Sequence, residues 1–126
     1  MAVAVAGMVL AATLLPGAGR AEDRVAAGKA IFDHTCANCH STAIGVNKIG
    51  PSLWHVIDRP LASVQDYPYS AKLRSMKARW GTWTTAHLDE YLTNPREVLH
   101  GVKMFFKGLP NEQDRADVIA YLKSLQ

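Results

Sequence analysis

Apolar positions recur with a helical period in four stretches of the chain, and no segment alternates as a β-strand does for more than a few residues. The first stretch covers residues 23 to about 33, and the last covers residues 111–125. Their apolar faces consist of Val25, Gly28 and Phe32 in the first, and of Val118, Ile119, Leu122 and Leu125 in the last. The pattern predicts an all-α protein.

Two further helices are predicted in the middle of the chain, and each begins at a hydroxyl residue. Ser70 can cap a helix through about residue 78 that ends at Trp80-Gly81. Thr84 can cap the next one, in which Leu88, Tyr91 and Leu92 are followed at i+7 by Pro95. We expect this proline to close the helix, because it lacks the amide proton that would continue it.

Residues 41–69 show no sustained period and read as long irregular loops, because they contain Gly45, Gly50, Pro51, Pro60 and Pro68. The whole chain has only 126 residues, of which 48% are hydrophobic and 20% charged, so it forms one globular domain. A loop of this length in so small a domain suggests that something other than protein fills part of the core.

The first fifteen residues are apolar and uncharged, and Gly19-Arg20-Ala21 offers a signal-peptidase site. We therefore expect residues 1–21 to be a signal peptide cleaved after Ala21, and residues 22–126 to be the mature domain in a bacterial periplasm. No Lys or Arg precedes the apolar run, which departs from the usual signal pattern. An uncleaved anchor is the alternative, although the run is shorter than the roughly 20 apolar residues of a spanning helix.

Charge is mild, with 14 Lys and Arg against 11 Asp and Glu. Nucleic acid is not indicated, since proteins that follow phosphates concentrate far more positive charge on one face. Lys72, Arg74, Lys77 and Arg79 nevertheless fall within eight positions. This group is either a solvated helix face or a docking patch for an acidic partner, which would speed association by electrostatic steering.

The sequence Cys36-Ala37-Asn38-Cys39-His40 contains both cysteines of the chain. A zinc site would need a second cysteine pair or a run of histidines, and neither is present. A redox dithiol is expected near a β-α-β pattern, and strands are missing. Covalent haem attachment accounts for all three residues, since two thiols add to the haem vinyl groups and the following histidine binds the iron.

The segments GKAIFDHTCANCH, GPSLW, YPYSAKL, WTTAHLDEYLTNPREVLHGVKMFFKGL and DRADVIAYLKSL occur in this order over almost all of the mature chain. In them the chain resembles the class I c-type cytochromes, of the bacterial cytochrome c2 and mitochondrial cytochrome c type. The resemblance implies the cytochrome c fold, with helices packed around one haem c attached through Cys36 and Cys39. It implies iron ligation by His40 and by Met104.

The resemblance also assigns supporting roles. Pro51 matches the proline whose carbonyl fixes the axial imidazole, and Tyr91 matches the tyrosine near the methionine sulfur. Arg59, Tyr69 and Trp83 match the residues that hold the haem propionates. Phe106 matches an aromatic residue beside the exposed haem edge. Without the resemblance, Trp83, Tyr91 and Phe106 would read as ordinary core aromatics.

Two protein ligands on the iron leave no open site for a substrate, so the resemblance implies an electron carrier and not an enzyme. Expected partners are redox proteins: a cytochrome bc1-like donor, and an oxidase, dehydrogenase or reaction centre. The protein is expected to be monomeric, not inserted in the membrane after cleavage, and to dock near Cys36 and Phe106 through Lys48, Arg96, Lys103 and Lys107 in salt-sensitive encounters. The alternative is a haem subunit dedicated to a dehydrogenase or oxidase, or a weak peroxidase if Met104 does not ligate.

Four positions depart from the family pattern. Val102 stands where a threonine is common, and His100 stands where a proline is usual. His55 and Asp58 occupy positions that are usually glycine, so the turn around Arg59 is not fixed by the sequence. His100 or Lys103 is a candidate to displace Met104 from the iron at high pH.

Overall fold

A computed structural model describes residues 18–126. Within this range the chain is helical and contains no strand beyond an isolated bridge between Pro60 and Thr82. The five helices are α1 (Ala18–Thr35), α2 (Ala71–Trp80), α3 (Thr85–Thr93), α4 (Pro95–Val98) and α5 (Glu112–Ser124). The prediction of an all-α protein is confirmed, and residues 41–69 are irregular as expected.

Helices α1 and α5 form the most extensive interhelical contact, and the contact depends on Gly28. A Cβ atom at this position would lie only 1.9 Å from the carbonyl oxygen of Asp117. The ring of Phe32 packs against that of Tyr121 at 5.4 Å between centroids. The absence of a side chain at Gly28 therefore lets the two helix backbones approach closely, and it fixes where α1 ends relative to α5.

The predicted caps at Ser70 and Thr84 are present, and Asn111 caps α5 in the same way. The side chains of Ser70, Thr84 and Asn111 accept hydrogen bonds from the backbone amides three residues further on. Each bond satisfies an amide that the first turn of a helix leaves without a partner. The elements that frame residues 81–110 are thus fixed by local polar contacts as well as by burial.

The prediction for Pro95 is confirmed in part, since the helix does end just before it, but the proline also begins a new helix. Helix α3 ends at Thr93, and Pro95 begins the short helix α4 as its first residue. Proline is favoured at that position because its ring already has a helical φ and its missing amide proton would be unpaired anyway. Asn94 caps this helix with a side-chain bond to the amide of Glu97.

Helix α1 begins at Ala18, upstream of the predicted start at residue 23, and continues through Ala21. Most of the predicted signal peptide, residues 1–17, lies outside the described residues. The division into a signal peptide and a mature domain remains a prediction. In residues 18–126, no helix is both long enough and apolar enough to cross a membrane.

Candidate functional site

The two cysteines and His40 lie in a turn that directly continues α1. The amides of Cys36 and Ala37 both bond to the carbonyl of Phe32, and the amides of Cys39 and His40 bond to the carbonyl of Cys36. Both cysteines are half-buried and are not bonded to each other. Burial raises the pKa of the Cys36 thiol. The turn presents two thiols and an imidazole together, as haem attachment requires.

The imidazole of His40 is oriented by a backbone carbonyl. Its Nδ1 lies 2.8 Å from the carbonyl oxygen of Pro51, and because a carbonyl only accepts, Nδ1 carries the proton and donates it. Burial lowers the pKa of His40, so the ring is neutral. The lone pair on Nε2 is then the one available to a metal ion, which is the second-shell arrangement typical of ligating histidines.

Gly50 makes room for this ring, a role that the sequence reading missed. A Cβ atom at residue 50 would lie 2.3 Å from Cε1 of His40. The amide of Gly50 also donates to the carbonyl of Cys39 at 2.7 Å. The Gly50-Pro51 pair therefore closes a small ring of contacts around His40, and the only hint in the sequence was the glycine immediately before the proline.

Arg59 has a buried donor that no described group satisfies. Its terminal nitrogen Nη1 donates to the carbonyl of Trp54 at 2.7 Å, while its Nε is buried without a hydrogen-bond partner. Burial lowers the pKa of the guanidinium. Leaving a buried charged donor unpaired is costly, so this atom calls for an anionic acceptor. A carboxylate, such as a haem propionate, fits it.

The turn around Arg59 keeps a left-handed backbone although glycines are missing. His55 has a φ of 46° and Asp58 a φ of 59°. These residue types tolerate such angles better than most. The amide of Asp58 donates to the carbonyl of Trp83, and the amide of Trp83 donates to the carbonyl of Arg59. The departures from glycine therefore leave the turn intact, and they bring Arg59 and Trp83 together.

Buried aromatic residues line the next part of the site. Trp83 and Tyr91 pack at 5.0 Å between ring centroids, and both are buried. Burial raises the pKa of the Tyr91 hydroxyl. Tyr69 is also buried, and its hydroxyl accepts a hydrogen bond from the amide of Val64. The structure thus places Tyr69, Trp83 and Tyr91 in the core.

The segment that carries Met104 is irregular from residue 102 to residue 110. Met104 and Phe106 are both half-buried against the hydrophobic core. Phe105 between them is 93% exposed and lies beneath the guanidinium of Arg96, 5.1 Å from its ring centroid. Alternate residues of this segment therefore face inward and outward, with the thioether on the inward side.

Arg115, which the sequence reading did not single out, holds the end of the Met104 segment. From α5 its Nε donates to the carboxylate of Asp89 on α3 at 2.8 Å. Its Nη1 donates to the carbonyls of Leu109 and Pro110 at 3.0 Å each. A buried arginine usually finds such partners, but spacing along the sequence does not reveal them.

A stacked pair of aromatic rings, Trp80 and His87, was also missed. The two rings lie 4.7 Å apart and are almost parallel, and Trp80 meets Trp83 edge-on. The His87 ring is held by a bond from Nδ1 to the carbonyl of Thr82. This pair joins the end of α2 to α3. Through Trp80, the pair contacts the ring of Trp83 and helps to fix its position.

The cations expected at the docking surface are partly engaged within the chain. Lys48 donates to the carbonyl of Ala37 at 2.6 Å, and Lys103 donates to the carbonyl of Pro68 at 3.0 Å. Arg96 stacks on Phe105 as described above. On α2, Lys72, Arg74, Lys77 and Arg79 are all exposed. None of these four takes part in an ion pair among residues 18–126.

The chain is similar in sequence and in fold to known proteins. The sequence profile of the family described as Cytochrome c matches residues 25–126. The cytochrome c-type protein cyt cy of Rhodobacter capsulatus is 46% identical over 99 residues, which are 79% of this chain and 48% of that protein. The chain therefore spans about half the length of that relative.

Other relatives match over most of their length. A cytochrome c of Gossypium barbadense is 44% identical over 98 residues, which are 77% of this chain and 86% of the relative. Cytochrome c-550 of Ancylobacter novellus is 41% identical over 90 residues, which are 71% of this chain and 84% of the relative. The solved structure of cytochrome cH from Methylobacterium extorquens superposes with a TM-score of 0.71 at 32% identity, covering 79% of this chain and 97% of that one.

Proposed function

The chain belongs to the cytochrome c family, and on that premise we propose that it is a soluble electron shuttle with His40 and Met104 as the axial ligands of its iron. The resemblance seen in the sequence and the expected cytochrome c fold are confirmed. The protein carries one haem c, bound covalently through Cys36 and Cys39, and acts as an electron carrier and not as an enzyme. When bound, the haem supplies a one-electron couple at its iron.

The observation that carries the proposal is the bond between His40 Nδ1 and the carbonyl of Pro51. It holds the imidazole in the tautomer whose Nε2 can bind iron, and it fixes the plane of the ring. Gly50 keeps the space around the ring open. Hydrogen bonds connect Gly50 and Pro51 to the turn that contains Cys36, Cys39 and His40. The same turn would therefore position both the thioether bonds to the haem and the histidine ligand.

Met104 is proposed as the second ligand because it lies on the inward side of an otherwise irregular segment. A thioether is a soft ligand that favours ferrous iron and raises the reduction potential relative to two imidazoles. With both axial positions filled by the protein, little has to move when an electron arrives. Arg59, Tyr69 and Trp83 would hold the propionates, and the unpaired Nε of Arg59 supports this assignment. Tyr91 and Phe106 would flank the haem on the Met104 side.

The remaining parts of the proposal concern location and partners. We propose export to a bacterial periplasm with removal of residues 1–21, and action as a monomer between redox proteins. A bc1-like complex is the proposed donor, and an oxidase, dehydrogenase or reaction centre the proposed acceptor. The second candidate is a haem subunit dedicated to a dehydrogenase or oxidase, or a weak peroxidase, and only the peroxidase requires an iron that Met104 does not ligate.

The test is an absorption spectrum of the exported holoprotein, oxidised and reduced, for the wild type and for Met104→Ala. A weak far-red band from sulfur-to-iron charge transfer should be present in the wild type and lost in this variant. Met76→Leu is the matched control, because Met76 is the other methionine of residues 22–126 and is buried in α2, and it should keep the band. A high-spin spectrum in the wild type would refute His/Met ligation and favour the peroxidase.

A further inference from the structure

The loop that follows His40 exposes branched aliphatic side chains. Ile44 is 75% exposed, Val46 is 47% exposed and Ile49 is 78% exposed. Together with Phe105 they are the large hydrophobic residues that the described part of the chain leaves exposed. Single exposed aliphatics need no explanation, but three within six positions mark a surface that another molecule covers.

This aliphatic loop, residues 43–50, is held in place by hydrogen bonds. Ser52 donates through its hydroxyl to the carbonyl of Ala43, and its amide donates to the side chain of Asn47. The hydroxyl of Tyr67 donates to the carbonyl of Ile49 at 2.7 Å. Polar groups of the loop are thus hydrogen-bonded within the protein, while its apolar side chains are exposed to solvent. Such a pre-ordered apolar surface binds a partner at little cost in conformational entropy.

The aliphatic loop is almost free of charge. No Asp or Glu occurs between His34 and Ile57, and Lys48 is the only cation among residues 35–56. The ammonium group of Lys48 is turned back onto the carbonyl of Ala37. A complementary surface therefore needs to be apolar, and it needs no acidic groups at its centre.

The loop also lies beside the turn that binds the haem. Two bonds connect them, from Lys48 Nζ to the carbonyl of Ala37 and from the amide of Gly50 to the carbonyl of Cys39. A protein bound to the loop would therefore lie close to Cys36 and Cys39, the two residues that bind the haem covalently. This position suits a partner that must exchange an electron.

We propose that Ile44, Val46 and Ile49 form the docking surface for an apolar patch on a redox partner protein, and that this contact depends only weakly on salt. The inference rests on the proposed electron-shuttle function. It differs from docking through the exposed cations of α2, which would be strongly screened by salt. A lipid surface is the less suitable occupant, because surface-binding segments combine aromatic residues with free cations, and the aliphatic loop has neither.

The test uses the holoprotein on gold electrodes coated with methyl-terminated or carboxylate-terminated alkanethiols, which stand for an apolar and an acidic partner. Adsorbed mass is read with a quartz crystal, and electroactive coverage is read by voltammetry. The variant Ile44→Ser/Val46→Thr/Ile49→Ser should lose about tenfold in adsorbed mass and coverage on the methyl surface, from the loss of apolar contact area. Its coverage on the carboxylate surface should stay unchanged.

The control is Lys72→Gln/Lys77→Gln, which removes two exposed cations from α2 and should show the opposite pattern. Equal adsorption of the wild type and the triple variant on the methyl surface would overturn the proposal. Binding of the wild type, but not of the triple variant, to neutral phosphatidylcholine vesicles would overturn it in favour of a membrane. Absence of the far-red band would refute the shuttle function without deciding whether the loop binds apolar surfaces. The adsorbed mass on the methyl surface would still decide that question.

Discussion

The proton on His40 Nδ1 is directed at the carbonyl oxygen of Pro51, 2.8 Å away. A carbonyl oxygen can only accept a hydrogen bond, so the imidazole must be the donor. The carbonyl thereby determines which nitrogen of the imidazole keeps a lone pair. An N–H donor in place of this carbonyl would leave the imidazole proton on Nε2, and Nε2 could then not bind the iron.

Replacing Gly50 with alanine should disrupt that arrangement, because the new Cβ would overlap the His40 ring. We expect a clearly lower yield of holoprotein and a shifted reduction potential in the fraction that forms. Gly45→Ala is the control, since nothing lies within 4 Å of a Cβ at that position. It should cost only the strain of its positive φ, about 1 kcal/mol. Equal yields for the two variants would contradict the role of Gly50.

Removal of Arg115 should destabilise the protein more than removal of its partner Asp89. The side chain of Arg115 is 11% exposed and that of Asp89 is 46% exposed. Arg115→Ala leaves two carbonyls and a carboxylate unpaired and should cost about 2–3 kcal/mol in the free energy of unfolding. Asp89→Ala leaves Arg115 bonded to both carbonyls and should cost about 1 kcal/mol or less. Guanidinium titrations that give the reverse order would contradict the clamp.

Gly28→Ala should separate α1 from α5, because the added methyl group meets the Asp117 carbonyl at an impossible distance. The free energy of unfolding should fall by about 2 kcal/mol or more, the range typical of overpacking a tight core. Ala30→Gly is the control at an exposed position of the same helix, where the loss should be about 1 kcal/mol. Thermal unfolding of both variants would decide; a smaller effect at Gly28 would mean that the helices can shift apart freely.

Two alanine-to-glycine substitutions should act in opposite directions. Ala62 has a φ of 50°, a conformation that costs a residue with a Cβ about 1–2 kcal/mol. Ala62→Gly removes that strain and should stabilise the protein by about 1 kcal/mol or slightly less, after the added flexibility of the unfolded chain. Ala78→Gly, at an exposed position in α2, should destabilise it by about 1 kcal/mol. Denaturant midpoints that move in the same direction would contradict the strain at Ala62.

Tyr91 should make stability fall at alkaline pH. Burial raises the pKa of its hydroxyl in the folded state, while an unfolded tyrosine ionises near pH 10. Above that pH the unfolded chain binds fewer protons than the folded one, so the free energy of unfolding decreases as pH rises. Tyr91→Phe removes this dependence, and the slopes should differ by up to about 1.4 kcal/mol per pH unit. Equal slopes in denaturant titrations from pH 9 to 11 would show that Tyr91 reaches solvent.

Local signals in the sequence were sufficient for the long helices and for the haem-attachment turn. Ser70, Thr84 and Asn111 are capping residues whose side chains act within three residues, so their role does not depend on the rest of the fold. The second role of Pro95 was missed because its missing amide proton and fixed φ, which end one helix, also favour it as the first residue of another. A local pattern could not separate these two outcomes.

Contacts between distant segments were beyond such reasoning. Arg115 meets Asp89 across 26 positions, and the orphaned Nε of Arg59 is visible only once the surrounding atoms are placed. His55 and Asp58 adopt left-handed angles in a turn that the bonds of Asp58 and Arg59 to Trp83 hold, and propensity alone would have favoured glycine there. The aliphatic loop likewise indicates a docking surface only because its side chains are exposed in the structure, which its composition alone does not show.

The pairing of α1 with α5 also sets the order of events during biogenesis. Helix α5 begins at Glu112, which lies 73 positions after Cys39 in the sequence. Helix α1 therefore lacks its packing partner while the intervening chain is being made, and most of the stability of a helix in a protein comes from such packing. The two thiols stay accessible during that interval. We expect the thiols to be more accessible to haem attachment before α5 packs on α1 than afterwards, because both cysteines are half-buried in the folded chain.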